Sequence, residues 1–166
     1  TPFTSIHKYK TDSALSWENV FGLKNADQEV WVCISDVNGF SRKTPEQQKF
    51  IEVKLPQLAR ALASVYELEL FQIVGDEVRV RGGSQTDENI RQYAKMLAAN
   101  FESATHKEFG APTTIKSAAA KGMISETFNG DHDNLAAVKS VNGEILTKIS
   151  AALHRMPRHK SDFKIT

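Results

Sequence analysis

The order of elements read from the chain is strand, helix, strand hairpin, helix, strand, helix, strand. That order predicts an α/β (α+β) sandwich with a mixed sheet and helices packed on one face, of the ferredoxin-like or palm type. Two observations carry it: stretches of β-branched residues alternate with long amphipathic helical patterns, and a hairpin separates the first two helices. A third sets aside the doubly wound alternative. No GxGxxG follows a strand and no GxxxxGK[ST] occurs, so neither standard glycine-rich phosphate cradle is present.

Residues 1–27 are polar and weakly periodic, with aromatics at Phe3, Tyr9, Trp17 and Phe21, and read as an arm or capping segment. Residues 28–37, QEVWVCISDV, have apolar or small groups on both faces, as a central strand does. Asn38-Gly39 then turns the chain. Thr44, Pro45 and Gln47 form a helix start, with Pro at the first helical position and Gln three residues after the cap. Phe50, Ile51, Val53, Leu55, Leu58, Ala59, Leu62 and Val65 follow at helical spacing, and Pro56 predicts a kink. Residues 68–82 form the hairpin, with Gly75-Asp76 at its tip. A second helix runs from about Asp87 to Phe109, its apolar side comprising Ile90, Tyr93, Ala94, Met96, Leu97, Ala98 and Phe101. Gly110 stops it. A short strand in TIKSAAAKGMIS, a helix in GEILTKISAALHRM and a final strand in DFKIT complete the chain.

At 166 residues the chain suits one domain. Lys and Arg number 21 against 20 Asp and Glu, a formal charge of +1, so no bulk field draws it to nucleic acid or an anionic membrane. An anionic ligand must therefore be held locally. The single cysteine, Cys33, lies in an apolar strand; it reads as packing, excludes an intrachain disulfide and fits a reducing compartment. No apolar run reaches the ~20 residues of a membrane span and no leader is recognisable, so the expectation is a soluble, cytoplasmic protein.

Asp36 ends the first strand and Asp76 sits at the hairpin tip. If strand and hairpin are neighbours the two carboxylates lie close together and need a counter-charge, for which a pair of divalent cations is the usual answer. Taken singly, each acid is an ordinary turn-former. Glu77 points away from Asp76 by strand alternation and reads as structural, a salt-bridge partner for Arg79 or Arg81.

Four stretches in order resemble class III nucleotide cyclases, the adenylate and guanylate cyclase catalytic domain. ISDVNGFS (34–41) resembles their strand ending in Asp before a GF[ST] turn, and QIVGDEV (72–78) their second, hairpin signature. The two acids stand 40 residues apart, as suits that family. TFNGDHDNLAAVK (127–139) is similar to T-V-I-G-D-x-V-N-L-A-A-R, and NGEILTKI (142–149) to the P-G-E-I-L-V-S that follows. The resemblance spans roughly residue 30 to the end and implies the class III cyclase fold for a domain of residues 28–166.

It also implies a chemistry: conversion of a nucleoside triphosphate to a 3′,5′-cyclic mononucleotide and pyrophosphate. Two Mg2+ or Mn2+ ions would be held by Asp36 and Asp76, with the Val37 carbonyl as a further ligand. Backbone amides around Asn38, Gly39, Phe40 and Ser41 would hold phosphates. Gln72 and Thr127 fall at the base-reading positions, where Gln72 is neither the Lys of adenylate nor the Glu of guanylate cyclases. Asn134 matches the ribose-orienting Asn. Val138 stands where the transition-state Arg is expected, leaving Lys139 beside it, or Lys121, Arg155 or Lys160, to replace that Arg. An antiparallel homodimer with sites at its interface is implied. A compact domain with a non-purine signature resembles the bacterial pyrimidine cyclases of anti-phage signalling, which make cCMP or cUMP. Two alternatives remain open: a catalytically degenerate cyclase-homology module, favoured by Val138, and a palm-type polymerase or dinucleotide cyclase.

Overall fold

The structure, a computed structural model, describes residues 26–83, 87–128, 139–142 and 144–166. The arm proposed for residues 1–27 lies outside them except for its last two residues, which already belong to a strand. The chain divides into two compact units, residues 29–122 with 145–166, and residues 1–28 with 123–144.

The larger unit is built on strand β1 (Ala26–Val37), which has β3 (Glu77–Gly82) on one side and β4 (Ile115–Phe128) on the other. Strand β2 (Glu69–Val74) lies beyond β3, and β6 (Asp162–Ile165) runs parallel to β4 along Lys116–Ala119. The β1–β3 and β2–β3 pairs are antiparallel, so the sheet is mixed, as the element order predicts. In the smaller unit the far end of β4 pairs antiparallel with β5 (Lys139–Asn142), matching Ser125 to Asn142 and Phe128 to Lys139. β4 is thus longer than the short strand expected, because β5 supplies backbone partners for its last residues.

Helix α1 (Pro45–Val65) starts where the sequence places it. Thr44 Oγ1 accepts from the Gln47 amide at 3.2 Å and Gln47 Oε1 accepts from the Thr44 amide at 3.0 Å, a complete capping box. It is one continuous helix with Pro56 buried inside it. Ile51, Leu55, Ala59 and Ala63 form its buried stripe, while Val53 and Val65, counted inward from the sequence, are 66% and 69% exposed. Helix α2 (Asp87–Phe109) buries Ile90, Tyr93, Ala94, Leu97 and Phe101 but leaves Met96 exposed. These two stripes pack with Trp31, Cys33, Val37, Val78, Val80, Ile115 and Ala119 in one core.

Helix α3 (Glu144–Arg155) corrects the expectation of helices on a single face. Ile115 and Ala119 face the α1–α2 core, so alternation turns Gly122 to the other side of β4, and there it lies against Ile145 of α3. The physical reason was visible in β1. Val32 and Ile34 alternate with Trp31 and Cys33 and are equally buried, so both faces of the central strand need a cover.

Tyr93 is fully buried in the core and its hydroxyl has no hydrogen-bond partner among the described residues. Burying an unpaired hydroxyl costs about 1–3 kcal/mol. Tyr93→Phe, which keeps the ring and removes that oxygen, should melt at or above the wild-type temperature; a clear loss in thermal denaturation would mean the hydroxyl is bonded.

Candidate active site

β1 delivers Asp36 to its C-terminal end, and the β2–β3 turn brings Asp76 beside it. Register fixes this: Asp36 pairs with Glu77 across the β1–β3 ladder, and the Val37 amide donates to the Asp76 carbonyl at 3.4 Å. A buried hydrogen bond of 2.7 Å between the Ser35 and Ser117 hydroxyls ties β1 to β4 one residue earlier. The Asp36 and Asp76 carboxyls share a hydrogen bond. Burial first, then the Asp76 charge and that hydrogen bond, then Glu77, push Asp36 from its ordinary 3.8 up to about 7, against the opposing pull of Lys116.

The turn after β1 is shaped by two residues. Gly39 takes a left-handed conformation, φ 71°, which an L side chain would occupy only under strain. Asn38 is buried and anchored three ways: its amide donates to the Thr114 carbonyl at 3.0 Å, and its Nδ2 to Thr114 Oγ1 at 2.8 Å and to the Lys160 carbonyl at 3.1 Å. The Asn38 amide, one of the phosphate donors expected, is therefore already engaged. A short 3-10 turn, Phe40–Arg42, follows, and Gln48 Nε2 of α1 donates to the Phe40 carbonyl at 3.0 Å. The Gly39, Phe40 and Ser41 amides meet no acceptor among the described residues.

These groups line one cleft of about 430 Å³: Asp36, Val37, Asn38, Gly39, Phe40, Ser41 and Asp76. Seven of the residues expected at the site are thus brought together, and four basic residues not singled out in that role join them: Arg42, Lys116, His154 and Arg158. Lys116 is only 4% exposed and makes no hydrogen bond or close ion pair among the described residues; it faces Asp36. Of the basic residues suggested to replace the missing arginine, Lys121 lies 4.0 Å from Glu29, and neither Arg155 nor Lys160 lines the cleft.

The remaining expected residues lie elsewhere. Gln72 is on the exposed face of β2, outside the cleft, where Arg79 Nη1 donates to its Oε1 at 3.0 Å. Glu77 pairs with Arg79 at 2.6 Å, one of its two expected partners, while Arg81 pairs with Glu69 at 3.3 Å. The register puts Glu77 opposite Asp36. Thr127 pairs with Ser140 in the β4–β5 ladder, and Lys139 opens β5. Asn134 and Val138 lie outside the described residues.

A divalent cation fits the acid pair. Burial, then the charge of Asp76 beside it, raise Asp36 to about 7, and a cation bound between the two carboxylates would favour their ionised forms. Among the described residues no cluster of three His, Cys, Asp or Glu could hold a metal alone, so the other ligands would be the Val37 carbonyl, water or substrate phosphates, as Mg2+ commonly accepts.

No protein-family model matches the chain, and no curated protein is similar to it in sequence. Solved structures are similar in fold. The adenylyl cyclase CyaB of P. aeruginosa superposes with a TM-score of 0.70 at 14% identity, over 83% of this chain and 77% of that one. A bacterial light-regulated adenylyl cyclase also gives 0.70, at 16% identity, over 98% of this chain, which spans 55% of that protein's length. The guanylate cyclase domain of RhGC from Catenaria anguillulae, solved with GTP, gives 0.62 at 17% identity, over 80% and 75% of the two chains. The sheet order, the helices and the acid-bearing turns described above thus belong to a chain with the fold of adenylyl and guanylyl cyclase catalytic domains.

Proposed function

We propose that the protein is a nucleotide cyclase, converting a nucleoside triphosphate to a 3′,5′-cyclic mononucleotide with release of pyrophosphate. One observation carries this reading: Asp36 and Asp76 share a cleft with a turn of unbonded amides and a buried lysine, in a fold like that of cyclase domains. Asp36, Asp76 and the Val37 carbonyl would hold two Mg2+ or Mn2+ ions. Bound there, these would make the ribose 3′-hydroxyl easier to deprotonate and neutralise the phosphates. The protein's own groups position the substrate. Amides of Gly39, Phe40 and Ser41 meet the phosphate oxygens, and Lys116 supplies fixed positive charge from the floor. The 3′-oxygen gives its proton to water and bonds to the α-phosphorus, while the bond from that phosphorus to the β-phosphate oxygen breaks in line and pyrophosphate departs with its electron pair.

The proposed substrates are the pyrimidine nucleotides, giving cCMP or cUMP. Arg79 holds Gln72 by its carboxamide oxygen, so the Gln72 amide group is left to donate. A donor can meet cytosine N3 or uracil O4 and opposes the N1–H and N2–H edge of guanine; adenine N1 would accept it equally, so the choice of pyrimidine over adenine rests on the resemblance. On the resemblance alone, the product would serve anti-phage signalling. The proposed assembly is an antiparallel homodimer, in which Thr127, Asn134 and Lys139 of one copy complete the site of the other. Strand β2 supports an association surface: it is an edge strand on which Ile73 and Val74 are 44% and 48% exposed.

Incubation with each of the four nucleoside triphosphates and Mn2+, followed by mass spectrometry, tests the reading. A cyclic pyrimidine mononucleotide is expected. A linked dinucleotide or no product from any of the four would defeat it, and a cyclic purine would defeat the base assignment. No helix among the described residues is long and apolar enough to cross a membrane.

A further inference from the structure

Four basic residues line the cleft around the acid pair. Arg42 comes from the turn after β1, Lys116 from β4, His154 from the last turn of α3 and Arg158 from the segment beyond it. Lys116 answers Asp36 at the floor. Arg42, His154 and Arg158 are exposed at the mouth and make no ion pair or side-chain hydrogen bond among the described residues. The remaining nearby carboxylate, Glu77, is taken by Arg79 at 2.6 Å. Three basic groups thus face an open cavity with no protein anion assigned to them.

Their placement is directional. Arg42 Nη2 lies 3.9 Å from the point where a Cβ on Gly39 would sit, so its guanidinium hangs over the turn with the unbonded amides. His154 and Arg155 both occupy the last turn of α3, where a base complements the helix dipole, yet only His154 lines the cleft. Arg158 follows it. Guanidinium groups bind phosphate through paired N–H donors, and about 430 Å³ accommodates a polyphosphate.

We propose that Arg42, His154 and Arg158 clamp the terminal phosphates of the substrate and the pyrophosphate that leaves. The polyphosphate arm is then held by the same chain that carries Asp36 and Asp76. The substrate named here rests on the cyclase reading, whereas polyphosphate binding does not. When the α-phosphorus–oxygen bond breaks, its electron pair stays on the pyrophosphate, and the Arg42 and Arg158 guanidiniums, with His154 as an N–H donor, meet that charge. Cations at the mouth also suit exit, because exposed pairs are screened and release readily.

Isothermal titration calorimetry of inorganic tripolyphosphate and pyrophosphate, on the full chain with Mg2+, reads the clamp without turnover. Arg42→Gln and Arg158→Gln should each weaken tripolyphosphate binding about fivefold to tenfold, and the triple variant with His154→Gln about a hundredfold. Arg158→Lys should recover part of the loss. Lys49→Gln with Arg60→Gln, which removes two cations from α1 outside the cleft, should change nothing. The clamp is overturned if wild type fails to bind tripolyphosphate at millimolar concentration. It is equally overturned if the triple variant keeps the wild-type melting temperature and dissociation constant. Absence of any cyclic product with intact, Arg-dependent tripolyphosphate binding would sink the cyclase reading and leave the clamp standing. Cyclase activity with unchanged KM and pyrophosphate inhibition in the triple variant would do the reverse.

Discussion

Asp36→Asn is expected to lower kcat by at least about a thousandfold while raising the melting temperature of the metal-free protein at pH 7.5. The first effect follows from removing one of the two carboxylates that would bind the ions on which phosphoryl transfer depends. The second follows from the electrostatics of the empty site. Asp36 is forced toward protonation by burial, by the adjacent Asp76 and by Glu77 across the ladder. Asparagine keeps the volume and can still hydrogen-bond Asp76, but it carries no charge. Differential scanning fluorimetry in EDTA beside a turnover assay separates the two effects. A variant that is inactive because it is unfolded would melt lower, and a variant that stays active would remove Asp36 from the mechanism. The expected combination, more stable and inactive, marks a residue retained for function at a cost in stability.

What the sequence exposed, and what it concealed, follows the range of the interactions. The capping box at Thr44 and Gln47, the Gly39 turn and the Gly75-Asp76 hairpin tip are local, so a few neighbouring residues specify them. Asp36 and Asp76 were legible for the same reason, each marked by its own turn; their proximity needed only one strand pairing. Lys116 gave no such signal. It sits in a small-residue strand and becomes a site residue only because β4 lies beside β1 and lifts it to the acids. Arg42, His154 and Arg158 come from segments more than 100 residues apart and converge through tertiary packing alone. Glu77 shows the limit of alternation along one strand: the β1–β3 register sets it opposite Asp36, which no local pattern reveals. Lys139 was suggested only by its place next to Val138, and nothing in that short segment shows that a four-residue strand paired with β4 claims its backbone.

The same acid pair predicts how stability responds to pH and metal. Asp36 titrates at about 7 in the folded protein and near its ordinary 3.8 in the unfolded chain. Between those values the folded state holds a proton that the unfolded state has released. Stability must therefore fall as pH rises through this window, the reverse of a salt-bridged carboxylate. The contribution is complete below about pH 3.8 and is lost as pH passes about 7. Asp36 is partly exposed at the cleft, so solvent screens some of the repulsion and the expected change is a few degrees rather than unfolding. In EDTA the melting temperature should decline from pH 5 to pH 8 relative to Asp36→Asn, which lacks this titration. Mg2+ or Mn2+ should reverse the decline, because an ion bound by both carboxylates replaces the shared proton. Titrating Mn2+ at pH 6.5 in buffers of different ionisation enthalpy should accordingly show proton release, diminishing at pH 8.5 where Asp36 is already ionised. Equal slopes for wild type and Asp36→Asn, or Mn2+ binding without released protons at pH 6.5, would mean that the two carboxylates do not share a proton and that the cation does not sit between them.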